Sequence, residues 1–203
     1  MSAVIISING SERNSGKSTI AALMASFFYN IAGHKVALVN PDSNNVIESY
    51  FFKEYKTNFE LSTLEKIDDP LLLSSASNSV AEEFDIFSNH LSSASVTANQ
   101  IRILKKHYDT IIIDGPFNEA DFKINIATDT VKKMMIDSNA DMNILNRFDK
   151  NASKVSNAIY CYEYFSSIKQ YSNDQNLYQL LLKKQKAIEH FKPIFTDVFN
   201  KRC

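Results

Sequence analysis

The segment from Gly10 to Thr19 has the residue types and spacing needed to hold a nucleoside triphosphate. It reads Gly-Ser-Glu-Arg-Asn-Ser-Gly-Lys-Ser-Thr, whereas a phosphate-binding loop ordinarily has a glycine, four residues and then Gly-Lys-Ser or Gly-Lys-Thr. In that pattern backbone N–H groups surround the phosphates, Lys17 reaches the β- and γ-phosphates, and Ser18 binds Mg²⁺. Ser11 occupies the first-glycine position, so the match is imperfect at its start and complete from Gly16 onward. We predict that the nucleotide is bound by Asn14, Ser15, Gly16, Lys17, Ser18 and Thr19.

A second candidate for chemistry lies at the end of an apolar run, Tyr108–Ile113, where Asp114 precedes Gly115 and Pro116. An acid at the end of a buried strand can hold a Mg²⁺-bound water and so orient the metal. Such an acid is also a common turn residue, and the phosphate-binding loop is what favours the metal role. We therefore predict that Ser18 and Asp114 bind Mg²⁺.

The elements that must position these residues follow from the hydrophobic pattern. Ala3–Ile8 is predicted to be a buried strand, and apolar residues at helical spacing from Lys17 onward predict a helix that ends near Gly33. Lys35–Val39 predicts a second strand, which ends at Asn40-Pro41-Asp42. A strand, loop, helix and strand make a β-α-β unit, so the fold class is α/β with its ligand crevice at the carboxyl ends of the strands.

Further elements are predicted less directly from the remaining residues. The predicted strands are Leu71–Leu73, Tyr108–Ile113 and Met142–Leu145. The predicted helices are Val80–Leu91, a helix ending over Ile101–His107, residues 120–138, Val155–Ile168 and Leu177–Phe191. An amphipathic tail begins at Pro193, and we expect it to pack against the sheet. No repeat or linker interrupts the 203 residues, so one domain over 1–203 is predicted, with a helical C-terminal segment over 174–203.

Composition excludes several classes of protein. The net charge is −1 and hydrophobic residues make up 44% of the chain, values typical of a globular protein without a general affinity for nucleic acid. The two cysteines, Cys161 and Cys203, are far apart, which argues against a disulfide framework and favours a reducing cytoplasmic compartment. The N-terminal apolar run is too short for a signal peptide or a membrane span, so no stable membrane insertion is expected.

Three segments in this order resemble the ParA/MinD group of deviant P-loop ATPases: Asn14–Thr19, Val36–Asn44 and Tyr108–Pro116. The resemblance covers the first 45 residues and the stretch from about 100 to 147. It implies a three-layer P-loop NTPase fold, with helices on both sides of a mostly parallel sheet. It also implies ATP and Mg²⁺ as ligands, weak ATP hydrolysis and a nucleotide-dependent homodimer. The implied role is a switch in DNA or plasmid segregation or cargo positioning, with DNA or a cargo adaptor protein as partner.

Two residues depart from the family pattern. Glu12 stands where a signature lysine reaches the partner subunit's phosphates, and Asn40 replaces the first acid of Asp-x-Asp. Asp42 keeps the second acid, which in the family helps to position Mg²⁺ and the attacking water. The resemblance therefore implies Lys17 and Asp42 as catalytic residues and adds Asp42 to the metal ligands, while a turn residue is the simpler interpretation of Asp42.

Other functions remain open at this point. Loss of catalysis through Glu12 and Asn40 would leave a nucleotide-binding scaffold or adaptor. The tyrosines from Tyr160 to Tyr171 invite comparison with P-loop tyrosine kinases, and the loop spacing fits dethiobiotin-synthetase-like ligases. The basic C-terminal residues could contact DNA phosphates, although a solvated helix face is the simpler interpretation. Those residues are Lys183, Lys184, Lys186, Lys192, Lys201 and Arg202.

Overall fold

Strands and helices alternate through the part of the chain that the computed structural model describes. That part comprises residues 3–10, 15–43, 46–52, 60–66, 73, 76–82, 84–89, 93–128, 137, 139–146, 160–162 and 192–200. Its strands are β1 (Val4–Gly10), β2 (Val36–Asn40), β3 (Asn78–Ala81), β4 (Phe84–Ser88), β5 (Thr110–Ile113), β6 (Phe122–Thr128), β7 (Met142–Asn146) and β8 (Tyr160–Tyr162). Its helices are α1 (Lys17–Asn30), α2 (Val46–Ser49), a 3-10 helix (Leu61–Lys66), α3 (Ala98–Leu104) and α4 (Lys192–Asn200).

The eight described strands form one sheet in the order β3-β4-β2-β5-β1-β6-β7-β8. Every neighbouring pair is parallel except β3 and β4, which are antiparallel at one edge. Strands β2, β5 and β1 lie side by side, so the loops that follow them meet at the same edge of the sheet. The predicted α/β class with a mostly parallel sheet is confirmed.

Helices cover both faces of this sheet. Ile6 and Ile8 of β1 belong to one buried cluster with the apolar residues of α1, whereas Ile5 belongs to a second cluster with α3 and the 3-10 helix. Successive side chains of a strand point to opposite faces, so one sheet supplies the inner surface of both cores. Two helical layers and the sheet between them make the predicted three-layer arrangement.

The first β-α-β unit forms as predicted. Helix α1 buries every residue from Ile20 to Phe28, because it packs between the sheet and α4. Gly33 follows the helix with φ 68°, a left-handed conformation that glycine adopts without a steric penalty. The residue after it, His34, donates its backbone N–H to Phe28 O at 3.0 Å, which closes the end of α1.

Three of the predicted helices are wrong in the described residues. Residues 78–81 and 84–88 are strands, not part of a helix over Val80–Leu91. Every residue of β4 is buried although Asp85 and Ser88 are polar, and so short a segment without strict alternation does not distinguish a buried strand from a helix. Residues 122–128 form β6 instead of the predicted helix over 120–138, and 160–162 form β8 within the predicted helix Val155–Ile168.

The remaining predictions fall on few described residues. Leu73 is helical and does not belong to the predicted strand Leu71–Leu73, and the predicted helix Leu177–Phe191 lies outside the described residues. Met142–Leu145 is a strand as predicted, although β8 follows it. The predicted domain 1–203 with its segment 174–203 stays a prediction, since only 192–200 of that segment are described.

The tail after Lys192 packs into the core as helix α4. Its side chains Ile194, Phe195 and Val198 are buried in the cluster that α1 forms with the sheet. The ring centroids of Phe195 and Phe27 lie 5.1 Å apart, so the main contact is with α1. Among the described helices, none has both the length and the apolar character that a membrane crossing requires.

Candidate functional site

The first turn of α1 follows β1, one of the central strands of the sheet, after residues 11–16. Gly16 begins this turn with φ 95° and ψ 13°, a left-handed conformation that costs a residue with a side chain roughly 1–2 kcal/mol. The helix ladder begins when Ile20 N donates to Gly16 O at 3.0 Å. The N–H groups before Ile20 therefore have no partner within the helix, and they form the positive end of its dipole.

Lys17 points back from this turn to two acidic residues on neighbouring loops. Its Nζ lies 3.4 Å from Asp42 Oδ2 and 3.2 Å from Asp114 Oδ1. The same ammonium group donates a hydrogen bond of 2.7 Å to the backbone carbonyl oxygen of Asp114. The loops after β1, β2 and β5 therefore meet at one cation, as the sequence predicts for the carboxyl edge of the sheet.

Asp114 is an almost fully buried carboxyl group, with a relative exposure of 1%. Burial raises the pKa of Asp114 above its ordinary value, and the Lys17 ammonium and a hydrogen bond from Ser18 only partly offset this effect. Among the described residues no hydrogen bond reaches Asp114 Oδ1. Among the described residues, this buried oxygen therefore relies on the Lys17 ammonium group, 3.2 Å away, for compensation.

Asp42 occupies a more open position than Asp114, with 46% of its side chain exposed. Asn40 holds the preceding turn, because its side-chain oxygen accepts a hydrogen bond of 3.2 Å from Asp42 N. Asn89 clamps the same loop by donating from Nδ2 to Pro41 O at 3.0 Å. The residue that replaces the first acid of the family pattern is therefore buried and shapes the loop that carries Asp42.

The loops that carry Asp42 and Asp114 touch directly. A Cβ atom added to Gly115 would lie 3.0 Å from Pro41 Cγ, closer than carbon atoms normally pack, so a larger residue there would require Pro41 to shift. From below, Ser7 donates from Oγ to Gly115 O at 2.8 Å and accepts from Phe117 N at 3.1 Å. Ser7 thereby fixes the backbone on which Asp114 is carried.

The hydroxyl residues of the first turn face different partners. Ser18 hydrogen-bonds to the Asp114 side chain, which places its oxygen beside the predicted metal ligand. Thr19 Oγ1 lies 2.6 Å from the hydroxyl of Tyr50, which follows α2. Ser15 is buried just before Gly16, whereas Asn14 and Glu12 lie outside the described residues.

The structure thus brings together most of the residues that the sequence predicts. Lys17, Ser18, Asp42 and Asp114 form one group, and Thr19 lies next to it on the same turn of α1. Three residues that contact this group or its loops were missed: Ser7 and Asn89, which hold the two acidic loops, and Tyr50, which lies against Thr19. A lone serine within an apolar strand could have identified Ser7, while Asn89 was hidden by the wrong helix and nothing local distinguishes Tyr50.

The group has the composition of a Mg²⁺–phosphate site. Among the described residues no set of three acidic, histidine or cysteine side chains could enclose a metal ion. Mg²⁺ is typically held by one or two carboxylates together with substrate phosphates and waters. Asp114 Oδ1, buried and without a hydrogen bond from the described residues, offers the lone pairs that such a metal-bound water needs, so the residues present fit the ion.

Comparison with known proteins agrees with this fold. Among solved structures, a putative plasmid partition protein from Borrelia burgdorferi B31 bound to AMPPNP gives a TM-score of 0.71 at 18% identity, with 100% of both chains covered. A ParA family ATPase from Chlorobium tepidum TLS gives 0.69 at 14% identity, over 89% of this chain and 92% of that one. The septum site-determining protein MinD from Pyrococcus horikoshii OT3, complexed with Mg-ADP, gives 0.68 at 15% identity, over 97% and 96%.

Identities this low show a shared fold and no more. A comparison with curated protein sequences finds no match. A protein-family model described as "ATPase MipZ" matches residues 4–178, which is most of the chain. Together with the phosphate-binding loop and the parallel sheet, that match shows that the chain belongs to the MipZ family of ParA/MinD-type P-loop ATPases.

Proposed function

We propose that this chain binds ATP together with Mg²⁺ at the first turn of α1 and hydrolyses it slowly, as a nucleotide-dependent switch. The observation that carries the proposal is the position of Lys17 Nζ between Asp42 and Asp114, at the mouth of a helix N-terminus. A cation and the N–H groups that have no partner within the helix bind the phosphates, and two carboxylates beside them supply the metal side of the site.

Each residue has a role that its position supports. Gly16 lets the backbone approach the phosphates, and Lys17 leaves the carboxylates to pair with the β- and γ-phosphates. Ser18, Asp42 and Asp114 would hold Mg²⁺, which neutralises the charge that develops on the phosphate oxygens. Asp42, the more exposed acid, can also accept a hydrogen bond from a water molecule and orient it for attack.

The wider role is proposed from the relatives. A plasmid partition protein that is bound to AMPPNP and a MinD that is complexed with Mg-ADP share the fold. We infer a switch that helps to segregate DNA or to position cargo in the cytoplasm. Its partners would be a second copy of the chain in the nucleotide-bound state, and DNA or a cargo adaptor protein.

Calorimetric titration with AMPPNP and Mg²⁺ tests the site directly. We expect binding by the wild-type chain and its loss in Lys17→Ala, because the phosphates lose their cation. The matched control is Lys105→Ala, which removes an exposed lysine next to α3, on the opposite face of the sheet from α1. Equal binding by the Lys17 and Lys105 variants would refute the proposed site.

A nucleotide-binding scaffold without hydrolysis is the second candidate, and Asn40 is the observation that favours it. Its buried amide takes the place of an acid and forms part of the loop structure, so one acidic group of the family pattern is absent. Phosphate release from ATP separates the two functions. An ATPase releases phosphate faster than its Lys17→Ala variant, whereas a scaffold binds AMPPNP and releases no more than that variant.

A further inference from the structure

The segment Val46–Phe52 lies between the loop that carries Asp42, a predicted metal ligand, and the first turn of α1. It begins four residues after Asp42, forms the short helix α2 and packs against α1. The segment resembles none of the motifs by which the site was predicted. Its contacts nevertheless place one side chain beside the phosphate-binding turn.

That side chain is Tyr50. Its hydroxyl oxygen lies 2.6 Å from Thr19 Oγ1, which is near the short end of the usual range for hydrogen bonds between hydroxyl groups. Thr19 is the third residue of α1 and belongs to the turn whose N–H groups have no partner within the helix. Both side chains are only partly buried, so a ligand in the solvent can reach the pair.

The position of Tyr50 is fixed by its neighbours in the segment. Ile47 is fully buried in the α1 core, and the Phe51 ring lies 5.3 Å from the ring of Phe84 at 78°. Between them, the side chain of Glu48 is fully buried and accepts a hydrogen bond from Ser88 at the end of β4. These buried contacts on both sides of Tyr50 hold its hydroxyl group next to Thr19.

The direction of the hydrogen bond decides what Thr19 can do. A hydroxyl group has one proton to donate, although it can accept more than one hydrogen bond. When Thr19 donates to Tyr50, Thr19 has no proton left to donate to a ligand. When Tyr50 donates to Thr19, the threonine proton is free for a phosphate oxygen, and the chain of two hydroxyl groups strengthens that donor.

We propose that Tyr50 is a positioning residue of the phosphate site, which donates to Thr19 Oγ1 so that the Thr19 hydroxyl donates to a phosphate oxygen of the bound nucleotide. The inference rests on the proposed nucleotide binding and adds a residue to it. An anionic phosphate favours this direction because it attracts the free proton. Tyr50 therefore acts through Thr19, on the phosphates, and independently of the base.

The test compares Tyr50→Phe, Thr19→Ala and the double variant with the wild type. Affinity is measured by calorimetry for Mg²⁺–AMPPNP and for tripolyphosphate with Mg²⁺, a probe that has neither base nor sugar. We expect Tyr50→Phe to weaken both ligands by a similar factor of about three to ten, the worth of one hydrogen bond. In the Thr19→Ala background the same change should have no further effect.

The matched control is Tyr29→Phe, which removes another partly buried tyrosine hydroxyl from the core around α1. Tyr29 lies ten residues further along α1 than Thr19, about 15 Å from the site, and its ring packs against Phe84. We expect the Tyr29→Phe variant to bind both ligands with wild-type affinity. Thermal melting of all variants shows whether the fold is intact, and Tyr50→Phe keeps the ring that packs against the core.

Three results would overturn the inference while leaving the nucleotide site intact. The first is a Tyr50→Phe variant that binds both ligands with wild-type affinity. The second is a Tyr50→Phe variant that loses affinity for AMPPNP but not for tripolyphosphate. The third is a loss of affinity on Tyr50→Phe that is just as large in the Thr19→Ala background. The last result would mean that Tyr50 acts through packing alone. If neither the wild type nor Lys17→Ala binds either ligand, the proposed function itself fails, and the inference fails with it.

Discussion

Burial and charge pairing act against each other at Asp114. The carboxyl group is 1% exposed, and loss of hydration disfavours its ionised form more than Lys17 and Ser18 favour it. An acid whose pKa is raised in the folded state binds a proton more tightly there than in the unfolded chain. Above that pKa the ionised group therefore reduces the free energy of unfolding, and the reduction disappears as the pH falls towards the ordinary value of about 4.

Replacing Asp114 with asparagine should therefore stabilise the protein. The amide side chain would be neutral and of similar shape, and we expect a gain of about 1 kcal/mol at pH 7, or about 2–4 °C in Tm for a chain of this length. The advantage over the wild type should shrink as the pH is lowered from 7 towards 4. Urea denaturation of both proteins across this pH range measures the difference in their free energies of unfolding.

The control is Asp42→Asn, which removes the other acid beside Lys17. Because 46% of the Asp42 side chain is exposed, little hydration is lost on folding, and no comparable stabilisation is expected. A less stable Asp114→Asn protein at pH 7 would show that the ion pair with Lys17 outweighs the burial of the carboxylate.

Two loops form the acidic side of the site by direct contact between Pro41 and Gly115. Each loop is anchored separately, one by Asn89 and the other by Ser7. Ser7 lies on β1 and Asn89 directly after β4, so the two loops are held from different parts of the sheet. We therefore expect a side chain at position 115 to change the separation of Asp42 from Asp114.

Gly115→Ala should push the two loops apart. The added Cβ would meet Pro41 Cγ at 3.0 Å, and overpacking of this kind costs about 1–3 kcal/mol. We expect a lower Tm and weaker binding of Mg²⁺–AMPPNP, because Asp42 is displaced from Lys17. Thermal melting and calorimetry measure the two effects.

Removal of the clashing atom provides the control for this substitution. In Pro41→Ala the Cγ atom is absent, so the double variant Pro41→Ala, Gly115→Ala should bind better than Gly115→Ala alone. If the double variant is no better, the contact between the loops does not set the geometry of the acids.

The elements that the sequence predicts well are those with a local signal. Helix α1 has apolar residues at helical spacing, and β5 is a continuous apolar run that ends in an acid. Strand β6 was wrongly predicted as a helix, although Phe122, Ile124 and Ile126 alternate with polar residues as in a strand. Strands β3 and β4 carry no such alternation, and the place of β4 beside β2 is set by residues far along the chain.

The distinction between local and long-range sequence signals also applies to the residues of the site. Lys17, Ser18 and Asp114 stand out in the sequence because each follows a recognisable turn or strand end. Ser7 and Tyr50 do not stand out, since their partners Gly115 and Thr19 are 108 and 31 residues away. Side-chain contacts of this range depend on the finished sheet, and the sequence alone does not specify them.

We propose that two copies of the chain dimerise when nucleotide is bound, and the residue at position 12 should affect that dimerisation. The resemblance places a lysine at this position, where it reaches the phosphates of the partner subunit. A carboxylate there repels a triphosphate. We expect Glu12→Lys to tighten Mg²⁺–AMPPNP binding by about tenfold and to increase the fraction of dimer, measured by calorimetry and by size-exclusion chromatography with light scattering.

An equal change of charge elsewhere serves as the control. Glu82 is exposed in the turn before β4, at the opposite edge of the sheet from the phosphate-binding turn. Glu82→Lys should leave affinity and oligomeric state unchanged. The same dimer fraction for Glu12→Lys and Glu82→Lys would contradict a role for position 12 in pairing two copies.

The contact between α4 and α1 has a consequence for synthesis of the protein. Phe27 and Phe195 pack together although a ribosome that adds about 5–20 residues per second makes them roughly 10–30 s apart. During that interval the apolar side of α1 has no α4 to cover it. The helix that begins at the phosphate-binding turn therefore completes its packing only after α4 has been synthesised, and until then it presents aromatic side chains that a chaperone can bind.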